Sequence, residues 1–186
     1  IVSVLAVRFS TQFWMAAGKG SAGCCRFSAI GDAPEISIHR ILTFVPHMRD
    51  CTIFRLSNGI RVVHQYLPTT NIVHCGIFLG IGSRDETTSN QGIAHFWEHM
   101  AFKGTARRSA QDIAEEIEAV GGELNAATGL DSTAYYARVL RQDLGLALDI
   151  LSDIILTPRF DRTELARERD VILQEIASAQ DSPEDM

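Results

Sequence analysis

The sequence predicts an α+β fold in which helices pack on one side of an antiparallel-rich sheet. Two hairpin signals support this prediction, because Asn58-Gly59 separates two β-prone runs and Gly129-Leu130-Asp131 joins another two. Segments with helical periodicity lie between and after these hairpins. Hairpins that alternate with helices in this way favour one sheet covered by one layer of helices.

Five strands are expected from the β-prone runs. In chain order they are "TIFRL", "IRVVHQYL", "NIVHCGIFLGIG", "ELNAAT" and "STAYYARVL". His64 and His74 fall within these runs and have no partner at ligand spacing, so we interpret both as ordinary sheet residues.

The first two predicted helices begin at polar residues. Asn90 can cap the first helix, and Gly104 can end it. Ser109, with Asp112 three residues later, is a capping box for the second helix. The pair Arg107-Arg108 lies between the two helices, and we expect it on the solvated surface.

Two more helices are predicted after the second hairpin. One covers residues 143–156, because Pro158 cannot continue it. Asp161, with Glu164 three residues later, opens the last helix, which runs to about Ala179.

The composition is that of a globular protein with an acidic body. The chain has 186 residues, of which 46% are hydrophobic, and a formal net charge of −6. Residues 1–47 hold four of the 17 basic and two of the 23 acidic side chains, so the remainder is the more acidic part. Without a stripe of Lys and Arg, we expect no nucleic-acid partner. No apolar run reaches the roughly 18 residues that a membrane span needs.

The cysteines indicate the compartment. Four cysteines show neither the density nor the spacing of a disulfide scaffold, so we interpret them as reduced thiols of an intracellular protein. The bacterial cytoplasm is the first expectation, and the mitochondrial matrix is the alternative.

Residues 1–47 differ from the rest of the chain. They lack a clear period, are rich in Ser, Ala and Gly, and are weakly similar to an organellar transit segment. Because the chain begins at Ile1 and Met48 can serve as a start, we interpret this segment as an incomplete or mistranslated leader outside the fold. We expect the folded domain over residues 48–186, truncated at its C-terminal end.

Two histidines four residues apart lie in the first predicted helix. His95 and His99 project from one side of that helix with Cβ atoms roughly 5–6 Å apart, so both imidazoles can bind one zinc ion. Glu98 lies about 100° around the helix from His99, where it can reach a water held by the metal. Since zinc lowers the pKa of its bound water to near 7, Glu98 is the candidate general base.

A catalytic zinc site of this kind needs a third protein ligand, which the last helix can supply. Glu168 and Glu175 are seven residues apart, so they project in nearly the same direction, about 10.5 Å apart along the axis. One acid can bind the metal while the other holds a histidine. By themselves, two such acids are more typical of a solvated helix face.

Several motifs occur in one order along the chain. The H-x-x-E-H string His95-Phe96-Trp97-Glu98-His99 is followed by "MAFKGT", "GGELNAATG" and "ERDVILQEI". This series resembles the pitrilysin/insulinase family of inverzincin zinc metallopeptidases, and within it the mitochondrial-processing-peptidase β subunit and its bacterial relatives. The resemblance runs from about Met48 to Met186 and corresponds to the N-terminal half of such an enzyme.

The resemblance implies a zinc-dependent metalloendopeptidase that hydrolyses extended polypeptides or presequences. Glu98 matches the catalytic base and Glu168 matches an acid that supports the ligands. The residues matching the ligands of one Zn²⁺ per chain are His95, His99 and Glu175. Asn125 and Ala126 match the centre of the edge strand on which the family binds its substrate peptide as an added strand.

Two departures from the family pattern leave alternatives open. Trp97 stands where relatives have a smaller aliphatic residue, and we expect it to point away from the metal into the packing. The family also builds a closed chamber from two homologous halves, so a second half or partner subunit is implied. The alternatives are therefore a non-catalytic scaffold subunit of the same fold and an inactive fragment that needs its partner half.

Overall fold

The computed structural model describes residues 4–9 and 51–181, which form one six-stranded sheet with helices on one face, as the sequence predicts. The strands are β1 (Val4–Phe9), β2 (Cys51–Arg55), β3 (Arg61–Gln65), β4 (Ile72–Leu79), β5 (Glu123–Thr128) and β6 (Thr133–Leu140). The helices are α1 (Ile93–Ala101), α2 (Ala110–Ala119), α3 (Leu144–Leu156) and α4 (Arg162–Gln180).

The strand order is β2-β3-β1-β4-β6-β5, and every neighbouring pair is antiparallel except β1 and β4. Both predicted hairpins are confirmed, as β2–β3 and β5–β6. In the first turn Gly59 has a φ of 87°, a left-handed conformation that suits glycine. The side-chain oxygen of Asn58 accepts a hydrogen bond from the backbone N–H of Ile60 at 3.1 Å. The sequence therefore specifies this turn locally.

Strand β1 differs from the expectation that residues 1–47 lie outside the fold. Val4–Phe9 pairs with β3 on one side and with β4 on the other. A physical reason is that β3 and β4 would otherwise leave backbone N–H and C=O groups unpaired, and "VLAVRF" is a β-prone run that can pair with both. Met48 and the remainder of the expected leader lie outside the described residues.

The core lies between the sheet and the helices. Alternate residues of β4 and β6 point to the helical face, as the period of two requires, and α3 packs against them. The buried residues of these three elements include Val73, Cys75, Ile77, Tyr135, Ala137, Val139, Ile150, Leu151 and Ile154. Within the described part of the chain, no helix is long and apolar enough to cross a membrane.

Two of the four cysteines are described, and both are free thiols. Burial raises the pKa of Cys75 to about 11, so this side chain stays a neutral thiol near pH 7. Cys24 and Cys25 lie outside the described residues.

The predicted cap of α2 is confirmed, whereas that of α1 is wrong. Ser109 Oγ accepts a hydrogen bond from the backbone N–H of Asp112 at 3.1 Å, and the Asp112 carboxylate accepts one from the N–H of Ser109 at 2.8 Å. Gly92, with a φ of 87°, is the N-cap of α1 in place of Asn90. The Glu86 carboxylate accepts from the N–H groups of Gly92 and Ala94, which satisfies donors that the glycine cannot.

The prediction of a solvated Arg107-Arg108 pair is wrong for Arg108, whose side chain is 12% exposed. Arg107 Nε and Arg108 Nη1 each donate to the buried Asp153 carboxylate at 3.0 Å. Both guanidinium groups also bind Asp149. We call Arg107, Arg108, Asp149 and Asp153 the arginine cluster. It ties the segment after α1 to α3.

Candidate metal centre

Helix α1 brings the two histidines of the H-x-x-E-H string together. His95 and His99 lie one turn apart, and their rings meet edge to face, with centroids 4.7 Å apart and planes at 88°. The two Nε2 atoms are 3.2 Å apart. The helical spacing of four residues therefore brings one nitrogen of each ring to a common point.

Helix α4 adds a carboxylate oxygen at the same point. Glu175 Oε2 lies 3.5 Å from Nε2 of His99 and 3.7 Å from Nε2 of His95. Helices α1 and α4 pack against each other, and this packing joins residues that are far apart in sequence. Glu175 is therefore placed by tertiary structure.

The three atoms fit a single zinc ion. Zinc binds nitrogen at about 2.0–2.1 Å and carboxylate oxygen at about 2.0–2.2 Å, so ligand atoms at tetrahedral angles are about 3.3–3.6 Å apart. The observed separations of 3.2, 3.5 and 3.7 Å are close to this range. Two imidazoles and one carboxylate are also a ligand set typical of zinc. Among the described residues, His95, His99 and Glu175 form the one such cluster of three.

The exposure of the ligand side chains leaves one side of the cluster open. His99 is 16% exposed, whereas the side chains of His95 and Glu175 are 42% and 49% exposed. A fully enclosed cluster would suit a structural metal, and an accessible side suits a centre that accepts water and substrate. The cluster is therefore accessible to water or to a further ligand on that side.

Glu168 lies behind His99 and has a different environment from Glu175. Its side chain is 8% exposed, and its Oε2 lies 3.0 Å from Nδ1 of His99. Lys103 Nζ lies 2.7 Å from the other oxygen, Oε1. Burial would raise the pKa of Glu168, but the hydrogen bonds from Lys103 and His99 hold it below its usual range. This arrangement leaves Nε2 of His99 facing His95 and Glu175.

Glu98 is placed apart from the three converging atoms. The hydroxyl of Thr128, at the end of β5, donates a hydrogen bond to Oε2 of Glu98. Nearby, the hydroxyl of Tyr135 is buried without a hydrogen-bond partner, and burial together with the charge of Glu98 raises the pKa of Tyr135. Tyr135 is therefore a neutral phenol, and Glu98 has one oxygen fixed by Thr128.

Asn125 and Ala126 lie on β5, the last strand at one end of the sheet. Asn125 is exposed and Ala126 is buried, as expected for neighbours on a strand. The outer edge of β5 has no strand partner among residues 4–9 and 51–181. A cleft of about 520 Å³ runs beside this strand, and its lining includes Phe102, Ile113 and Leu124.

Trp97 packs away from the histidines, as the sequence predicts. Its ring meets that of Phe160 at a centroid distance of 4.4 Å and an angle of 66°, and it packs against the buried core. The large side chain is accommodated by the interior, so it leaves the histidine side of α1 clear.

Sequence reasoning missed three polar residues around α1 and the candidate metal centre, namely Glu86, Lys103 and Thr128. Lys103 follows His99 by four residues, so helical spacing could have identified it as a neighbour on the same side. Glu86 reaches α1 over a loop, and Thr128 reaches it from strand β5, and a single sequence gives no spacing rule for either contact. Contacts between residues that are distant in sequence are identified only from the structure.

Two histidines and a glutamate from two helices, with a further glutamate held beside them, define a candidate metallohydrolase centre on an α+β scaffold. The profile of the family described as Insulinase (Peptidase family M16) matches residues 61–186. The chain belongs to this family.

Similar proteins have related descriptions. An uncharacterized zinc protease of Mycobacterium leprae is 49% identical over 130 residues, which is 70% of this chain and 29% of that protein. The mitochondrial-processing peptidase subunit beta of Saccharomyces cerevisiae is 48% identical over 121 residues, covering 65% of this chain and 26% of that protein. A protease from Helicobacter pylori, solved as a crystal structure, aligns with a TM-score of 0.68 and 28% identity over 74% of this chain and 33% of that one.

These comparisons support the resemblance to zinc proteases of the pitrilysin/insulinase family for the N-terminal region of such proteins. The chain spans about a third or less of the length of the relatives described above.

Proposed function

We propose that this chain carries the catalytic metal centre of a zinc-dependent endopeptidase that acts on extended polypeptides. The observation that carries the proposal is the convergence of His95, His99 and Glu175 at separations that suit one tetrahedral ion. These three residues would hold one Zn²⁺. When bound, zinc acts as a Lewis acid that polarises a carbonyl group and makes water acidic enough to attack at neutral pH.

Glu98 is the general base in this proposal. Its Oε2 is occupied by the Thr128 hydroxyl, so Oε1 is the oxygen available to accept the proton of the attacking water. The same oxygen can then return that proton to the departing amine. Because Glu98 lies about 100° around the helix from His99, it serves as a proton acceptor while the histidines act as ligands.

The substrate class follows from the open edge of β5. An extended peptide can pair with the backbone of this strand, which requires no particular side chains. Thr128 ends β5 and contacts Glu98, so a peptide bound along Asn125 and Ala126 is led towards the proposed base. Of the acids near the cleft, Glu123 is paired with Arg138, whereas Glu118 is exposed and would favour a basic group in the bound segment, such as that of a presequence.

The proposal is tested by measuring zinc per chain and the cleavage of an unfolded polypeptide for the wild type and Glu98→Gln. We expect both proteins to bind one Zn²⁺, and we expect Glu98→Gln to cleave at least about 100-fold more slowly, as for the loss of a general base. Glu115→Gln, an exposed residue of α2, is the matched control. A Glu98→Gln protein that retains zinc and cleaves at the wild-type rate contradicts the assigned role.

The rival function is a non-catalytic subunit or a fragment that needs a second half. It is favoured by one observation, namely that the aligned part of this chain covers only 26% to 32% of the length of the curated relatives compared. Assays should therefore be repeated with the C-terminal region of a bacterial relative added. Cleavage that appears only with this addition identifies an incomplete chamber, whereas zinc binding without cleavage in both assays identifies a scaffold.

The proposed setting of this function is intracellular. Most of the similar proteins described come from bacteria, and one is a mitochondrial-processing peptidase subunit of yeast, which suits the bacterial cytoplasm first and the mitochondrial matrix as the alternative. The proposed partners are a peptide substrate and a homologous second half or subunit.

A further inference from the structure

Lys103 forms an ion pair one step removed from the candidate metal centre. It lies just beyond the end of α1, and its Nζ is 2.7 Å from Oε1 of Glu168. The other oxygen of the same carboxylate, Oε2, is 3.0 Å from Nδ1 of His99. The carboxylate thus bridges a lysine and a histidine that lie four residues apart on the same polypeptide segment.

The two contacts together fix the carboxylate more firmly than either contact alone. A carboxylate held at one oxygen can rotate about that hydrogen bond, whereas donors at both oxygens define its plane. Glu168 is buried, so loss of its ammonium partner would leave an incompletely compensated charge behind His99. The ion pair therefore controls both the position and the environment of the acceptor that faces His99.

The orientation of His99 follows from this acceptor. With Nδ1 donating to Glu168, Nε2 presents its lone pair to the point shared with His95 and Glu175. The contacts described for the His95 ring differ, since they are to the ring of His99 and to Glu175. His99 is the ligand whose ring depends on the buried carboxylate.

We propose that Lys103 is a positioning residue of the metal centre, which fixes the Glu168 carboxylate so that His99 presents Nε2 to the ion. The inference rests on the proposed zinc-binding role of His99. An ion pair that only linked α4 to α1 would affect stability alone. A positioning role also predicts that loss of Lys103 lowers metal affinity in a chain that remains folded.

The test measures zinc affinity by competition with a chromophoric chelator for the wild type, Lys103→Met and Lys103→Arg. Lys103→Met keeps much of the side-chain length and removes the charge, so we expect a loss of affinity of about 10-fold, the lower end for an outer partner of a ligand. Lys103→Arg retains a cation that can reach Glu168, and we expect it to restore most of the affinity. Lys103→Gln serves in the same way as Lys103→Met if the latter does not fold.

Two further measurements separate positioning from simple attachment of the helices. In the zinc-free chain, ¹⁵N NMR of the His99 ring should show Nδ1 protonated in the wild type and a mixture of tautomers in Lys103→Met. Thermal unfolding in the presence of a chelator reports the structural contribution of the ion pair. A lower unfolding temperature with unchanged zinc affinity and unchanged tautomer overturns the proposal, and Lys103 is then only a link between α1 and α4.

His99→Ala distinguishes failure of this inference from failure of the proposed function. If His99→Ala loses zinc while Lys103→Met binds it as the wild type does, the metal centre stands and the role of Lys103 is wrong. If His99→Ala binds zinc as tightly as the wild type, the proposed centre itself is wrong, and the inference about Lys103 falls with it.

Discussion

The arginine cluster and the candidate metal centre each contain a buried carboxylate, but their charges are completed differently. The carboxylate of Asp153 accepts hydrogen bonds from Thr105, Thr157 and both arginines of the cluster. At the metal centre, Glu168 is similarly paired, yet the ion pairs described for Glu175 are with the two imidazoles. Groups whose partners are all protein donors form a structural cluster, whereas groups that turn acceptor atoms towards one another suit a cation, as proposed for the metal centre.

This difference in hydrogen-bond partners separates a group of charged side chains that stabilises the fold from a group that can bind a metal ion. Burial would raise the pKa of Asp153, but its hydrogen bonds from threonine and arginine side chains hold the pKa below its usual range. The cluster is therefore satisfied without any ligand. The point shared by His95, His99 and Glu175 brings together three atoms that can each donate an electron pair, and the proposed divalent ion would satisfy all three at once.

The largest expected effect comes from removing a proposed ligand. Glu175→Ala removes one of three donors, so we expect zinc affinity to fall by about 1,000-fold, or about 4 kcal/mol, more than for an outer partner. Glu164→Gln, on the same helix but paired with Arg167, is the control and should bind zinc normally. Isothermal titration with Zn²⁺ measures both. Equal affinity in the two variants would remove Glu175 from the proposed centre.

The second effect concerns the arginine cluster. Asp153→Asn leaves two arginines without their buried acceptor, so we expect the free energy of unfolding to fall by about 3 kcal/mol near pH 7. Urea unfolding of the zinc-free chain measures this change. Zinc affinity of the folded variant should stay as in the wild type, and a parallel loss of zinc binding would show that the two regions are not independent.

The acid dependence of stability sharpens the same contrast. Because the folded-state pKa of Asp153 lies below its unfolded value of about 3.9, its contribution is fully present above that value and is lost as the pH falls through the folded pKa. The stability difference between the wild type and Asp153→Asn should therefore shrink below about pH 4. A series of urea unfolding curves from pH 7 to pH 3 checks this, and a constant difference would contradict it.

The smallest expected effect is at the proposed base. Thr128→Val removes the hydroxyl that fixes Oε2 of Glu98 while keeping a similar shape, so we expect kcat to fall about 10-fold, or about 1.4 kcal/mol, with little change in KM. Thr128→Ser keeps the hydroxyl and should retain most of the activity. Steady-state cleavage measures kcat for both variants, under conditions in which the wild type is active. Equal kcat values for Thr128→Val and Thr128→Ser would show that the hydroxyl has no such role.

Most of the secondary structure could be predicted because its causes are local. The Asn58-Gly59 turn, the Ser109–Asp112 capping box and the period-two strands each depend on residues close in sequence. The cap of α1 was not predictable in this way. Glu86 reaches Gly92 and Ala94 over a loop, and an asparagine near the helix start was the more usual candidate.

The candidate site was predictable in part for the same reason. His95 and His99 share a helix, so their spacing alone implies that their rings can meet. Glu168 and Glu175 share the opposite helix and a direction, but spacing cannot decide which of them faces the histidines' outer nitrogens. The structure places Glu175 beside both Nε2 atoms and Glu168 behind His99, where Lys103 neutralises it.

The sequence by itself determined the two hairpins, the helices and the pair of imidazoles one turn apart, because each depends on contacts within a few residues. The resemblance assigned Glu175 to the cluster, but only the tertiary structure brings its carboxylate to the histidines, selects the hydroxyl that holds Glu98 and places Val4–Phe9 in the sheet. Those outcomes depend on packing between distant segments. The positions of these residues are set by packing in the shared core and by the need to pair buried polar groups. A local sequence pattern carries information on neither of these causes.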